Sequence, residues 1–192
     1  MPWPHPAPLT TPRLHLEPLR PEHAREAFAF LDDVRLHAWT GGTPDTLSEL
    51  EARYARQAKG RSPDGTQGWL NWLLRRRVDG RLVGTVQATL SHVPGGGTEA
   101  VLGQAPGGGT EAVLAWVTGA AYQGEGYARE GARAMAEWLR AGGVSALSAY
   151  IHPGHAASMA VARALGLVVS GAVVGGEVRW VDHGCRSSES NA

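Results

Sequence analysis

The sequence predicts an α+β fold, in which helices flank a single mixed, mostly antiparallel central sheet. Two observations predict it: the first strand-like segments form an antiparallel run, and the later ones alternate with helical segments. At 192 residues, the chain is long enough for one domain with a sizeable core and short for two. We therefore expect one domain over residues 1–192, with 1–9 as an extended lead-in and 183–192 as a polar tail.

The first part of the chain predicts one strand followed by two helices. Residues 13–20 alternate apolar and polar side chains, as a half-buried strand does. Pro21 suits the first turn of the helix that follows. The apolar face of this helix is predicted at Ala24, Ala27, Phe28 and Leu31. A second amphipathic helix is expected over 47–59.

A hairpin is the clearest local signal in the chain. Asp79 and Gly80 separate the strand-like runs 69–78 and 81–90, and an Asp-Gly pair in that position favours a tight turn. Strands and helices then alternate. The remaining expected elements are strand 111–118, helix 126–141, strand 146–151, helix 155–165, strand 167–174 and strand 177–181.

The segment PGGGTEAVL occurs twice, at 94–102 and at 106–114. Two copies with so short a period do not make a solenoid, and we interpret them as a tandem duplication that lengthened a hairpin loop. The second copy continues into AWVTG, so the strand is placed at 111–118. The first copy is then an inserted, glycine-rich loop.

Composition limits the partners and the compartment. The formal net charge is zero, so we expect neither nucleic acid nor a membrane surface as a partner. Cys185 is the single cysteine, which permits no disulfide within the chain and fits a reducing cytoplasm. We expect no secretory leader in MPWPHPAPLTTPRL, and no apolar run approaches the roughly 20 residues that span a bilayer. Because arginine is used almost to the exclusion of lysine, and Ala and Gly are numerous, we also expect a GC-rich bacterial genome and a cytoplasmic protein.

The turn before helix 126–141 is the main candidate site. The segment AYQGEGYA places Gly124 and Gly126 where the helix begins. The first N–H groups of a helix lack internal partners and carry the positive end of the dipole, and glycine lets the backbone approach a phosphate closely. The pattern completes neither G-x-G-x-x-G, because Arg129 takes the third glycine position, nor a P-loop, because Lys59 lies far upstream. Considered alone, the turn could equally be an ordinary helix cap.

Gln123, Gly126 and Ala128 are spaced as Q-x-x-G-x-A, and HAASMAVARALGL follows at 155–167. This wider pattern resembles the GNAT superfamily of N-acetyltransferases, in its ribosomal-protein N-terminal acetyltransferase-like branch. Gln123, Gly126 and Ala128 fit the family's acetyl-CoA motif, Q/R-x-x-G-x-G/A. The segment 155–167 is similar to its later helix motif, N-x-x-[AS]-x-x-x-Y-x-x-x-G-F, and TTPRLHLEPLRPEHAREAF is typical of the branch. The resemblance covers residues 10–182.

The resemblance implies that acetyl-CoA is the cosubstrate and that no metal takes part. The turn's backbone amides would hold the CoA pyrophosphate. The acetyl-pantetheine arm would lie where strand 111–118 splays from strand 146–151, with a free N–H near residues 116–118 polarising the carbonyl. The acceptor would be an amine of a small molecule or a peptide, and a homodimer is left open. The implied CoA-binding residues are Trp116, Val117, Thr118, Gln123, Gly124, Glu125, Gly126, Tyr127, Ala128, Arg129, His155 and Ser158.

Two positions depart from the family pattern. Ala162 stands where many members carry a tyrosine that protonates the leaving thiolate, and His155 replaces the usual asparagine. Because alanine donates no proton, we assign the catalytic acid to Ser158, whose hydroxyl can donate. The alternative for Ser158 is a helix serine bonded back to a carbonyl one turn earlier. Tyr150 and Tyr122 are the other acid candidates, and Tyr150 could equally belong to the core.

Glu111 is the candidate catalytic base, because the family often has a glutamate acting through water at the start of this strand; the alternative is a solvated edge charge. Glu99 is its counterpart in the first repeat. His152 and His155 lack a third ligand within sequence reach, so no metal site is predicted. Residues that could line an acceptor pocket, or belong to the core, are Trp69, Trp72 and Trp116.

The function that these residues favour is transfer of an acetyl group from acetyl-CoA to a primary amine by direct attack. A non-catalytic domain that holds acyl-CoA as a sensor is the alternative, because the family's tyrosine and asparagine are missing. Nucleotide binding at the same turn is a third hypothesis. Release of CoA thiol with a panel of amines separates the first two hypotheses, and stabilisation by NAD or ATP would indicate the third.

Overall fold

An eight-stranded sheet runs through the ranges that the computed structural model describes, residues 3–39, 41–93 and 109–182. The strands are β1 (Leu9–Thr10), β2 (Leu14–Pro18), β3 (Gln67–Arg76), β4 (Leu82–Val93), β5 (Gly109–Thr118), β6 (Ala146–Ile151), β7 (Leu167–Val174) and β8 (Glu177–Asp182). The α-helices are α1 (Ala24–Leu31), α2 (Leu47–Gln57), α3 (Tyr127–Ala141) and α4 (Ala156–Ala164). None of the helices in these ranges is both long and apolar enough to span a bilayer.

The strand order is β1-β2-β3-β4-β5-β6-β8-β7. Within this sheet β5 and β6 are parallel, whereas the other neighbours are antiparallel. Four helices flank the sheet, which confirms the predicted fold class of a mixed, mostly antiparallel sheet. Thr46 caps α2 through a capping box with Glu49, so this helix begins where its sequence signals place it.

Two local predictions for the first half of the chain were wrong in detail. The turn between β3 and β4 spans 77–81, because Arg76 N–H bonds to Arg81 O at 2.8 Å, and so it is wider than a two-residue hairpin. In α1 the apolar face is wider than predicted: Phe30 is buried, whereas Phe28 and Leu31 are only partly buried against the same core cluster.

The lead-in is bound to the sheet. Trp72 Nε1 donates a hydrogen bond to Ala7 O at 2.7 Å, and Trp3 stacks on His92 with ring centroids 4.3 Å apart. Residues 9–10 add the short edge strand β1. The lead-in is therefore held by specific contacts from Trp3 onward, which its proline-rich sequence did not indicate.

The repeat and the tail are only partly visible. The second copy of the repeat enters β5 from Gly109, and β5 contains the predicted strand 111–118. The first copy, 94–102, and the polar tail, 183–192, lie outside the described residues. Their predicted roles stay predictions.

The sheet has a sealed face and an open face. Helices α3 and α4 cover the sealed face, where Leu114 of β5 and Leu147 of β6 join the larger core cluster. Helices α1 and α2 pack on the opposite face over β3 and β4. The second core cluster there consists of Ala24, Ala27, Phe30, Leu50, Tyr54, Leu73 and Leu82. We call the face opposite to α3 and α4 the open face; Ala115 of β5 and Tyr150 of β6 point to it.

A gap opens within the sheet between β5 and β6. These strands pair only over Glu111–Val113 and Ala146–Ser148. Residues 149–151 of β6 pair with β8 on the other edge of β6 and have no partner in β5. The second half of β5 therefore has a hydrogen-bonded neighbour on one side only.

Candidate functional site

Alternate backbone groups of β5 point into this gap. Ser145 N–H donates to Thr110 O at 2.9 Å on the β6 side, and backbone groups alternate in direction along a strand. On the other side, Gly119 N–H donates to Val83 O at 2.9 Å. The even-numbered residues of β5 thus direct their N–H and C=O groups towards β6, and Trp116 does so where β6 no longer pairs with it.

The turn before α3 presents a row of backbone donors. Gly124 and Gly126 have φ of 81° and 82°, in the left-handed region that glycine adopts without strain, and Gly126 caps α3. Within the described residues, the N–H groups of 124–129 have no hydrogen-bond acceptor. Such donors at the positive end of a helix form an anion site.

Two guanidinium groups flank this turn. A Cβ added to Gly126 would lie 3.5 Å from Arg13 Nη2 and 3.9 Å from Arg129 Nη2. Arg13 is fixed in place, because its Nη1 donates to Glu125 O at 2.9 Å and its Nε to Glu130 Oε2 at 2.6 Å. Because Arg13 is already paired with Glu130, the positive charge available to a phosphate comes mainly from Arg129, which has no acidic partner among the described residues.

Ser158, in α4, contacts β5 through the side chain of Trp116. Trp116 Nε1 donates to Ser158 Oγ at 3.2 Å, so the hydroxyl accepts this bond and keeps its own proton for another partner. The described residues contain no carbonyl bonded to this hydroxyl, unlike the helix serine considered above. His155 precedes Ser158 by one turn, at the start of α4. The structure thus brings Trp116, Ser158 and His155 together.

The other predicted CoA residues lie at or beside the turn. Gln123 Nε2 donates to Thr118 O at 3.2 Å, while Thr118 Oγ1 is buried without a partner among the described residues. Tyr127 is buried beneath the Arg13 guanidinium, whose carbon lies 4.8 Å from the ring centroid. Ala128 is half-buried in the first turn of α3, and Val117 is exposed on the open face.

Glu111 is not brought to this site. Its Oε1 accepts hydrogen bonds from Ser148 Oγ at 2.6 Å and from Arg179 Nη2 at 2.5 Å, and both ion-pair partners are largely buried. Trp116 lies five positions further along β5, which is about 17 Å in an extended strand. Glu111 is therefore neither beside Ser158 nor a solvated edge charge, because it ties three strands together. Glu99 lies outside the described residues.

His152 and His155 contact an aromatic side chain that the sequence did not single out. Trp39, from the segment between α1 and α2, stacks on His155 with centroids 5.4 Å apart and lies 5.2 Å from the His152 ring. Gly154 permits this contact, since a Cβ there would lie 2.6 Å from Trp39. Burial, and next the neighbouring His152, lower the pKa of His155. In the described ranges no third His, Cys, Asp or Glu joins the two histidines.

The remaining candidates divide between core and surface. Trp72 is fully buried and meets Trp138 edge-on, so it is a core residue. Trp69 lines a cavity of about 230 Å³ on the open face, beneath α2. Tyr122 lies under the Arg76 guanidinium, and Tyr150 is half-buried on the open face of β6.

Arg13 and Trp39 are the site residues that sequence reasoning missed. Both act through contacts with distant parts of the chain, Arg13 with Gly126 and Trp39 with Gly154. No motif at short range contains either contact. A charged residue at the start of β2 and an aromatic residue in a loop are each too common in proteins to serve as a signal.

Comparisons with known proteins identify the family and the fold. The family model for the acetyltransferase (GNAT) domain matches residues 13–168. A search of curated proteins found no significant match. Among solved structures, one described as a putative GNAT-family acetyltransferase from Bordetella pertussis is 23% identical, with a TM-score of 0.62, and covers 92% of this chain and 98% of its own.

Two further solved structures share the fold. RimL, a ribosomal L7/L12 α-N-protein acetyltransferase, is 13% identical, with a TM-score of 0.65, and covers 91% of this chain and 93% of its own. The acetyltransferase AAC(6')-Ib, solved with paromomycin and acetyl-CoA, is 17% identical, with a TM-score of 0.66, and covers 92% and 98%. Because the family model matches most of the sequence, this chain belongs to the GNAT acetyltransferase family.

Proposed function

We propose that the chain transfers the acetyl group of acetyl-CoA to a primary amine. The observation that carries this proposal is the half-unpaired strand β5, in which the Trp116 backbone faces the gap while the Trp116 side chain bonds to Ser158. Family membership supports acetyl transfer, and AAC(6')-Ib, which shares the fold, was solved with acetyl-CoA.

The donor would bind along the turn and the gap. Its pyrophosphate fits the unpaired N–H groups of 124–129, with Arg13 and Arg129 supplying positive charge on either side. The amide-containing pantetheine arm can hydrogen-bond to the free edge of β5, as a neighbouring strand would. Thr118 Oγ1, buried without a partner in the described part of the chain, is a further polar group beside this path.

The transfer would proceed by direct attack of the amine on the thioester carbonyl. The Trp116 N–H points into the gap and would stabilise the negative charge that develops on the carbonyl oxygen. As the new C–N bond forms and the C–S bond breaks, Ser158 Oγ–H would protonate the thiolate. The attacking amine gives up one proton to solvent, and the serine regains its own from solvent, so the atoms balance.

Ser158 suits the acid role for two structural reasons. Trp116 Nε1 occupies an acceptor site of the hydroxyl and leaves its proton available. Ala162, where many family members carry a tyrosine, is fully buried in the core, so no side chain at that position competes for the thiolate. Holding donor and amine together can account for about 7–11 kcal/mol of such a barrier.

An experiment in two stages separates this function from passive acyl-CoA binding. Thermal unfolding with acetyl-CoA measures donor binding, because a ligand specific to the folded state raises Tm. Release of CoA thiol with a panel of primary amines then measures transfer. We expect both signals. Stabilisation without thiol release for any amine would favour the acyl-CoA sensor, and stabilisation only by NAD or ATP would move the chain out of CoA chemistry.

A further inference from the structure

We infer that the amine acceptor is an extended acidic peptide, whose acidic side chains bind beneath α2 at Arg53 and Arg56 while its N-terminal amine reaches the gap. This inference rests on the proposed function for the position of the amine. It concerns the cavity on the open face, which the donor does not use.

A straight row of residues joins the cavity to the gap. Asn71 of β3 pairs directly with Gln87 of β4, and Gln87 pairs directly with Ala115 of β5, the neighbour of Trp116. Directly paired residues point to the same face of a sheet, and adjacent strands lie about 4.8 Å apart. Asn71 therefore lies about 10 Å from Ala115 across the open face.

The cavity stands over the far end of this row. Asn71 and Gln87 form its floor together with Trp69, and Arg53 and Arg56 of α2 form its wall. Its volume of about 230 Å³ is enough for a carboxylate-bearing side chain. A ligand with its amine at the gap would thus place a group about 10 Å further on against two guanidinium groups.

The charged residues that line the cavity favour an anionic group of the ligand. Its lining contains two arginines and neither Asp nor Glu. Arg56 has no acidic partner among the described residues, whereas Arg53 Nη1 is bonded to Asp45 at 2.7 Å. The chain has a formal net charge of zero, so this positive surface is local rather than a general excess.

The positive surface continues away from the gap. A second cavity, of about 840 Å³, shares Arg56 and Trp69 with the first and adds Lys59, the single lysine of the chain, and Arg61. Its lining also lacks Asp and Glu. Two adjoining cationic cavities fit an extended chain with several acidic side chains better than a compact small molecule.

The test uses three hexapeptides with free N-termini and amidated C-termini. They share the sequence Ser-Ala-X-X-Ala-Ala, with X as Glu, Gln or Lys. At about 3.3 Å per residue, the third and fourth side chains fall about 10 Å from the amine. Acetylation is followed by thiol release. Binding is followed separately by anisotropy of C-terminally labelled peptides, which requires no turnover.

We expect kcat/KM to rank Glu above Gln above Lys, with about tenfold between Glu and Gln, as for one charge-assisted contact. The preference should shrink at 0.5 M salt, because the arginines are partly exposed. Arg56→Glu should reverse the ranking in favour of the Lys peptide. Arg133→Gln, which removes an exposed arginine of α3 on the sealed side, should leave the ranking unchanged.

Equal kcat/KM for the three peptides, or a ranking that Arg56→Glu leaves intact, would overturn the inference while the proposed function stood. If no peptide releases thiol, the anisotropy arm still decides: tighter binding of the Glu peptide, lost in Arg56→Glu, supports the acidic-peptide surface, and equal binding of all three rejects it. A compact amine bearing a carboxylate that outperforms every peptide would also reject the peptide assignment.

Discussion

The two halves of β5 differ in their pairing: the first half has hydrogen-bonded neighbours on both edges, and the second half on one edge only. Its first half pairs with β4 on one side and β6 on the other, and Glu111 adds an ion pair with Arg179. Its second half pairs with β4 alone, and there Trp116 bonds to Ser158 of α4. Unpaired backbone groups cost free energy when buried, so the first half stabilises a strand whose second half is left for a ligand.

The largest expected effect is on the turn that leads from the open half of β5 into α3. Gly126→Asp puts a carboxylate where the pyrophosphate would bind. At a few ångströms, like charges near a protein surface repel by about 4 kcal/mol, or about 10³-fold in affinity. The Tm rise caused by acetyl-CoA should therefore disappear in a thermal unfolding assay.

Gly126→Asn is the matched control for this substitution, because asparagine has nearly the same shape and tolerates the left-handed φ of 82°. It should retain much of the acetyl-CoA shift. A normal shift in Gly126→Asp would place the donor elsewhere.

The next effect is on the acid at the gap. Ser158→Ala should lower kcat about 10²-fold, the low end for general acid catalysis, because a thiolate already leaves readily. The KM for acetyl-CoA should change little, since the hydroxyl would act on the departing sulfur. Steady-state kinetics with the best amine measures both constants.

Ser158→Thr keeps a hydroxyl at the same place and should recover most of the lost rate. Full activity in Ser158→Ala would give Ser158 a structural role and shift the acid to Tyr150, Tyr122 or water.

A substitution in the first half of β5 should change the stability of the fold and leave catalysis unchanged. Glu111→Gln leaves the Arg179 guanidinium, 16% exposed, without its carboxylate, so the free energy of unfolding should fall by about 2 kcal/mol. Both kcat and KM should stay near those of the unmodified protein. Urea unfolding alongside kinetics measures this.

Glu137→Gln, which removes an exposed carboxylate from α3, is the control and should have almost no effect on the free energy of unfolding. If Glu111→Gln kept full stability and lost activity, Glu111 would regain its role as the base.

The smallest effect concerns pH at the start of α4. Burial and His152 lower the pKa of His155 in the folded state, so between the folded and unfolded pKa values the unfolded chain binds more protons. The contribution of His155 to stability is thus present above the unfolded pKa of about 6.5 and is lost as pH falls through the folded one.

The difference in Tm between the unmodified protein and His155→Asn should accordingly change in favour of the variant between pH 7.5 and pH 5. The comparison is made between the two proteins because burial and Arg20 also lower the pKa of His23, which titrates in both. A constant difference across this range would show that His155 titrates normally.

The elements of the fold could be predicted from local patterns. Apolar periodicity gave β6 at 146–151 within the observed bounds, and the glycines of the turn indicated the start of α3. Local patterns failed where a neighbour sets the detail. Phe30 of α1 is buried although the periodicity left it off the apolar face, and Phe28, which the periodicity placed on that face, is only partly buried.

The site could be predicted only in the part that lies within short motifs. Gly126 and Ser158 each stand in such a segment, so the donor turn and the acid candidate were accessible. The role of Glu111 was not, because its partner Arg179 lies 68 positions away and only the sheet order brings them together. Arg56 gives no sequence signal either, since an arginine on an amphipathic helix looks like any solvated charge.

The short pairing between β5 and β6 has a mechanical consequence. Three residue pairs between β5 and β6 join strands β1 to β5 to strands β6 to β8. A ligand that enters the gap beyond Val113 and Ser148 would lie between these two groups of strands and would set the angle between them. Hydrogen exchange of the paired amides 146–148 should therefore slow when a ligand fills the gap, although none of these residues faces the gap.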